Sequence, residues 1–139
     1  MNATKKRILI SDCDAEVLIA LERFLEDHGF DTTTASSTDE ALQLAIQKPF
    51  DLILAADHPP EINCELLLRC LRTAKTPVVA MENDVPRHPF AGPYLLSLGA
   101  KGVVHKWEHQ EVQELVTTLL VTSAPEVAKS AVAGTANLR

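Results

Sequence analysis

Several side chains able to bind metal or phosphate follow short apolar runs of the sequence. They are Asp12 with its neighbour Cys13, Asp57, Glu82 and Lys106. Short, dense apolar runs separated by segments of helical periodicity are typical of parallel strands that are buried on both faces. In an open parallel sheet, ligands bind beyond the carboxyl ends of the strands. The sequence therefore predicts that these carboxylates, the thiol and the amine meet at one edge of a sheet.

The elements that would position these residues alternate along the chain. Apolar runs predict strands at residues 7–11, 51–56, 77–81 and 102–105, and the Thr-rich segment 30–35 suits a further strand. Helical spacing predicts helices at 15–28, 38–48, 63–72, 93–98 and 108–121. Ser37 and Glu40 have the spacing of a capping box at the start of the second helix. Prolines before the fourth helix restrict it to a short segment that begins near Pro93. We expect a flavodoxin-like α/β fold, a doubly wound five-stranded parallel sheet of order 2-1-3-4-5 with helices on both faces.

The composition excludes several classes of protein. The chain has 139 residues, of which 46% are hydrophobic and 23% charged, and its net charge is −6. We expect one domain at 6–121, followed by a flexible tail or linker at 122–139. The sequence has neither a basic run that could follow a nucleic-acid backbone nor the ~18 consecutive apolar residues of a membrane span. Three cysteines without CxxC spacing predict reduced thiols and a cytoplasmic location.

Four fragments of the chain belong to one design: RILISDCD at 7–14, FDLILAADHPP at 50–60, TPVVAME at 76–82 and GAKGVVHK at 99–106. Taken in this order, they resemble the receiver domain of two-component response regulators. The resemblance spans about residues 6–121 and implies the fold expected above. It also implies a non-enzymatic role in phosphorelay signalling. The implied partners are a histidine kinase or a downstream effector, with a homodimer as a further possibility.

The resemblance also assigns the roles in phosphate transfer, and two of them fall on unsuitable residues. Asp12 matches one of two Mg²⁺-binding acids, but Cys13 replaces the other, and a neutral thiol is a poor ligand for Mg²⁺. The phosphate-accepting position falls on Ala56, which lies five residues after Asp51 and four before Pro60. A methyl group cannot be phosphorylated. We therefore expect weak or absent Mg²⁺ binding and no resident cofactor, with Asp12 as a weak metal candidate.

The remaining pocket and output positions are also altered. Glu82 stands where the resemblance implies a hydroxyl residue, whereas the phosphate-pairing lysine is retained as Lys106. Glu82 either forms an internal ion pair with Lys106 or points to solvent. Val103 replaces an aromatic switch residue and Trp107 replaces a proline. Together with Tyr94 they would form a rebuilt switch and output surface.

Three functional hypotheses follow. The leading one is an atypical receiver domain that lacks the phosphoacceptor aspartate and acts as a phosphorylation-independent interaction or dimerisation module. The alternative is a working phosphotransfer receiver that uses Asp57 with an altered metal site. That alternative requires Asp57 to enter the pocket, although a shift of one residue along a strand reverses the side chain. The third is a regulatory N-terminal part of a larger enzyme or transcription factor.

Overall fold

The structure, a computed structural model, describes residues 5–83 and 89–121. Strands and helices alternate in this part of the chain. The elements are β1 (Arg7–Ser11), α1 (Ala15–Asp27), β2 (Asp31–Ala35), α2 (Thr38–Gln47), β3 (Leu52–Ala56), α3 (Cys64–Cys70), β4 (Val78–Glu82), α4 (Ala91–Ser97), β5 (Val103–His105) and α5 (His109–Val121). The expected tail at 122–139 and the middle of the proline-rich segment, 84–88, lie outside the described residues.

The strands form one parallel sheet in the order β2-β1-β3-β4-β5. This confirms the predicted flavodoxin-like fold. The central strand β3 is buried along its whole length, as expected for a strand covered on both faces. None of the described helices is long and apolar enough to cross a membrane.

Alternating side chains of the strands divide the core into two layers. On one face Ile10, Leu54 and Ala56 belong to the layer that packs against α1 and α5. On the other face Leu9 and Ala55 belong to the layer that packs against α2, α3 and α4. This alternation, with its period of two residues, determines on which side of the sheet each residue at a strand end lies.

Local capping explains where two of the helices begin. At α2 the Ser37 hydroxyl accepts a hydrogen bond from the Glu40 N–H at 3.1 Å, and the Glu40 carboxylate accepts one from the Ser36 N–H at 2.8 Å. The predicted cap is therefore present, although Glu40 reaches one residue further back than in a standard capping box. At α3 the Asn63 side chain accepts a hydrogen bond from the Leu66 N–H at 3.0 Å, as predicted.

Two helix boundaries differ by two residues from the sequence-based prediction, and the other helix boundaries by at most one. Helix α3 ends at Cys70 rather than at Arg72. Helix α4 is short, as expected, but begins at Ala91, two residues before Pro93. Pro93 thus occupies the first turn, where the N–H that proline lacks would have no partner within the helix.

Candidate functional site

The carboxyl ends of the strands bring the predicted pocket residues together. Ser11 of β1 pairs with Ala55, and Ala56 pairs with Met81 of β4. Continuing the first pairing by one residue places Asp12 beside Ala56. We call this region the carboxyl edge of the sheet. The neighbourhood expected from the sequence is therefore present.

A buried ion pair dominates the carboxyl edge. Lys106 Nζ donates a hydrogen bond to Asp12 Oδ2 at 2.6 Å, and the two residues are 3% and 0% exposed. The second oxygen of Asp12 accepts a hydrogen bond from the Asp14 N–H at 2.9 Å. The Lys106 N–H donates to the carbonyl oxygen of Glu82 at 2.9 Å, which fixes the backbone at the end of β5. Hydrogen bonds within the chain thus fix the positions of both Asp12 and Lys106.

Ala56 lies beside this pair and is completely buried. Its methyl group belongs to the apolar layer that also contains Ile10 and Met81. The position that the resemblance assigns to the phosphoacceptor is therefore filled by hydrocarbon.

Glu82 does not pair with Lys106, so that alternative is wrong. Glu82 pairs with His105 in the sheet, so Lys106, the next residue, projects on the opposite side from Glu82. The half-buried Glu82 carboxylate instead lies against the start of α4: its Oε2 is 3.0 Å from the point that a Cβ on Gly92 would occupy. The absence of a side chain at Gly92 gives the carboxylate this space.

Asp57 follows the last residue of β3. Its backbone N–H still donates to the Met81 carbonyl oxygen at 3.3 Å, which continues the pairing with β4. The residue is half-buried. The alternation along β3 assigns Asp57 to the side of Ala55, whereas Ala56 belongs to the layer on the side of α1 and α5.

Cys13 is half-buried at the end of β1. Burial raises the pKa of its thiol, and the charges of Asp12 and Glu61 raise it further, while Lys106 acts in the opposite direction. The thiol therefore stays protonated over a wider pH range than a free cysteine. This protonation makes it a poor metal ligand, since metals bind the thiolate.

The donor set does not fit a receiver-type Mg²⁺ site. Octahedral Mg²⁺ requires several oxygen ligands. Asp12 already accepts hydrogen bonds on both carboxylate oxygens, and Cys13 supplies sulfur in place of a second carboxylate. Within residues 5–83 and 89–121, no group of three or more His, Cys, Asp or Glu side chains is placed to hold a metal ion.

The residues expected at the output surface lie on separate elements. The Tyr94 hydroxyl donates a hydrogen bond to Glu65 Oε2 of α3 at 3.1 Å. Trp107 is 45% exposed, and its ring centroid lies 6.0 Å from that of His109 at the start of α5. Val103 is half-buried and lines the space beside Gly92. The structure therefore links Tyr94 to α3 and Trp107 to α5.

Comparison with solved structures identifies the architecture. The chain superposes on a CheY-like response regulator receiver domain from Methanospirillum hungatei with a TM-score of 0.77, at 22% identity, covering 88% of this chain and 99% of that one. It superposes on the response regulator TrrA of Thermotoga maritima, in complex with Mg²⁺ and BeF, with a TM-score of 0.72 and 24% identity, covering 83% and 99%. The fold is that of a response-regulator receiver domain.

Sequence comparison points in the same direction. The receiver-like chain is 36% identical over 83 residues to the transcriptional regulatory protein PrrA of Mycobacterium tuberculosis, which is 60% of this chain and 33% of PrrA. The PrrA of Mycobacterium leprae is also 36% identical, over 80 residues. The chain spans about a third of the length of the curated relatives it matches. No model of a known protein family matches the sequence.

Sequence reasoning missed the partner of Lys106 in this receiver fold. A signal for it was nevertheless present. Once Ala56 replaces an acid, Lys106 needs another carboxylate, and Asp12 is the acid that lies beside Ala56 in the sheet. A buried lysine without such a partner would be strongly destabilising.

Proposed function

We propose that this chain is a receiver-type signalling domain of two-component systems that does not accept phosphate at the usual position. It would act through protein contacts that do not depend on phosphorylation. The observation that carries this proposal is the buried Lys106–Asp12 ion pair beside the Ala56 methyl group. An incoming phosphoryl group would find no acceptor at Ala56, and Lys106 already bound to an internal carboxylate.

Electrostatics add to this argument. The carboxylates of Asp12, Asp57 and Glu82 all lie at or directly after the carboxyl ends of strands, and Lys106 neutralises Asp12. A phosphoryl group brings about two further negative charges. Without a bound Mg²⁺ these would be poorly compensated, and the donor set does not fit that ion.

Exposed apolar side chains support a role in protein contacts. Phe90, Tyr94 and Leu96 of the α4 region are 68%, 42% and 47% exposed, and Trp107 is 45% exposed. Aromatic side chains are enriched at protein–protein interfaces. A kinase, an effector or a second copy of this chain would each bury such side chains.

The first experiment tests phosphate acceptance. The wild-type chain is incubated with acetyl phosphate and Mg²⁺, and its intact mass is measured. A matched variant, Cys13→Asp/Ala56→Asp/Glu82→Thr, restores the three positions that the resemblance implies, and circular dichroism checks its folding. We expect no modification of the wild type and one phosphoryl group on the variant. Stoichiometric phosphorylation of the wild type would overturn the proposal.

The alternative phosphotransfer through Asp57 is tested in the same assay. If the wild type is modified and Asp57→Asn abolishes the modification, Asp57 is the acceptor and the alternative holds. Spectra of the ¹⁵N-labelled wild type with beryllofluoride and Mg²⁺ add a non-covalent readout. Under the proposal, the amide signals of residues 55–58 do not shift.

The second experiment tests whether protein contacts depend on phosphate. The self-association constant of the wild type is measured by analytical ultracentrifugation with and without acetyl phosphate. A constant that acetyl phosphate leaves unchanged, and that Trp107→Ser weakens, would support the interaction module. Association that appears only with acetyl phosphate would contradict it.

A further inference from the structure

A cleft of about 410 Å³ lies at the opposite edge of the sheet, where the strands begin. It is bounded by the end of α3, the segment that leads into β4, and the end of α4 with the following loop. We call this region the amino-edge cleft. Its volume falls within the range of about 300–1,000 Å³ that is typical of small-molecule sites.

The walls of the cleft combine an apolar floor with a basic rim. Leu68 and Val78, which are 5% and 4% exposed, line it together with Leu98. The charged residues that line it are Arg72, Lys75 and Lys101. Among the residues that the structure describes, no acidic side chain lines the cleft, although the chain as a whole has a net charge of −6.

The three cations of the rim lack partners within the described part of the chain. Arg72, Lys75 and Lys101 have neither an ion pair nor a side-chain hydrogen bond there. The contrast is Arg69, one turn earlier on α3, whose guanidinium contacts Glu65 Oε2 at 3.0 Å. The charge of the rim is therefore available to a ligand from outside.

The ends of the neighbouring helices do not neutralise the rim. Helices α3 and α4 end at Cys70 and Ser97, so their carbonyl ends lie near the cleft. Each helix end contributes about −0.5 of an elementary charge. Three cations therefore leave an excess of about two positive charges, and stabilising the helix ends does not account for all of them.

We propose that the amino-edge cleft binds a small amphipathic anion. Its apolar body would pack on Leu68, Val78 and Leu98, and its carboxylate, phosphate or sulfonate head would contact Lys75, Lys101 and Arg72. The combination carries the proposal, because a basic rim alone would bind any anion and an apolar floor alone would bind any hydrocarbon. This site uses none of the residues of the carboxyl edge and goes beyond the proposed function.

The test uses octanoate as the probe, with 1-octanol as an uncharged molecule of the same chain length. Each is titrated into the ¹⁵N-labelled full chain while amide signals are recorded. We expect saturable shifts from octanoate at residues 74–76, 78 and 98–101, and at least tenfold weaker binding of 1-octanol. Equal binding of the two probes, shifts elsewhere only, or no saturable shift would overturn the proposal.

Charge-reversed variants then test the rim. Lys75→Glu/Lys101→Glu should lower the affinity for octanoate at least tenfold. Leu98→Asp should also lower it, because it places a charge in the apolar floor of the cleft. The control is Arg23→Glu on α1, which changes the net charge without touching the cleft and should leave the affinity within twofold. If Arg23→Glu weakens binding as much as the Lys75/Lys101 variant, only the overall charge matters and the cleft is not the site.

Discussion

The two edges of the sheet handle charge in opposite ways. At the carboxyl edge, Lys106 is buried and held 2.6 Å from an internal carboxylate. At the amino edge, Arg72, Lys75 and Lys101 surround an apolar cleft and remain accessible to solvent. At the edge where receiver-type chemistry would occur, the cation Lys106 is thus already paired with Asp12. At the other edge, the three cations have no ion-pair partner within the described part of the chain.

The cost of desolvation explains why the paired cation is buried and the unpaired cations are exposed. Moving a charge out of water costs several kcal/mol unless a partner with good geometry compensates it. Asp12 provides this partner for Lys106. The cations at the amino edge have no such partner in the described chain and remain in contact with solvent. The buried charge of Lys106 therefore serves an internal contact. The exposed cations around the apolar floor of the amino-edge cleft remain able to contact a ligand.

The largest effect should come from breaking the buried pair. Lys106→Met leaves the Asp12 carboxylate buried without its cation, so we expect the free energy of unfolding to fall by about 3–5 kcal/mol. Urea denaturation followed by circular dichroism measures this change. The double variant Asp12→Asn/Lys106→Met should recover much of the loss, because it removes both charges while the introduced amide oxygen can still accept the hydrogen bond from the Asp14 N–H.

The matched control at the other edge is Lys75→Met. It removes an exposed cation and should change the free energy of unfolding far less than Lys106→Met. Similar losses in the two variants would show that the pair at the carboxyl edge has no special structural role.

A glycine at each edge offers a second comparison, in packing rather than charge. A Cβ on Gly102, which directly precedes β5, would lie 2.5 Å from Leu115 Cδ2 of α5. Gly102→Ala should lower the free energy of unfolding by about 1–3 kcal/mol through overpacking. Gly92→Ala meets the Glu82 carboxylate at 3.0 Å, a flexible group, and should cost less. Thermal unfolding of both variants measures the order, and a larger loss for Gly92→Ala would contradict it.

Cysteine reactivity tests the electrostatics of the carboxyl edge with a smaller effect. Because burial and the Asp12 charge raise the pKa of Cys13, its thiolate fraction near pH 8 is lower than that of an ordinary thiol. The exposed Cys70 should therefore be alkylated faster than Cys13 by iodoacetamide, and the difference should shrink as the pH rises above the pKa of Cys13. Peptide mass mapping gives the two rates.

The same pKa shift has a defined sign for stability. A raised pKa in the folded state means that the folded protein holds this proton more tightly than the unfolded chain. The contribution of Cys13 to stability is thus complete below the pKa of an unfolded cysteine and is lost as the pH rises through the raised value. A rate for Cys13 equal to that of Cys70 at every pH would contradict the shift.

Much of the fold could be predicted from the sequence because its signals are local. The strands β1, β3, β4 and β5 lie in short apolar runs, and β2 in a Thr-rich segment that favours a strand. The caps Ser37 and Asn63 lie next to the helices that they begin. The end of α3 was less predictable: no glycine or proline stands between Cys70 and Pro77, so nothing in the sequence marks the stop at Cys70.

The sequence predicted which residues meet at the candidate site, but not which of them contact each other. Resemblance placed Asp12, Ala56 and Lys106 correctly at one edge. The pairing of Lys106 depends on the register between β4 and β5, which puts Glu82 opposite His105 and so turns Lys106 away from it. The register between two strands cannot be read directly from the sequence. The amino-edge cleft could not be seen at all, because its walls come from segments that are far apart in the sequence.

The smallest effect should come from neutralising the rim of the amino-edge cleft in the absence of a ligand. Lys75→Gln and Lys101→Gln should each change the free energy of unfolding by no more than about 0.5 kcal/mol, as is usual for exposed surface positions. Because these cations have no partner in the described chain, each removal breaks no contact and slightly reduces their mutual repulsion. Urea denaturation at low and at high salt measures both terms. A loss above about 1 kcal/mol would mean that the rim is part of the folded structure, like Lys106, rather than a surface held open for an anion.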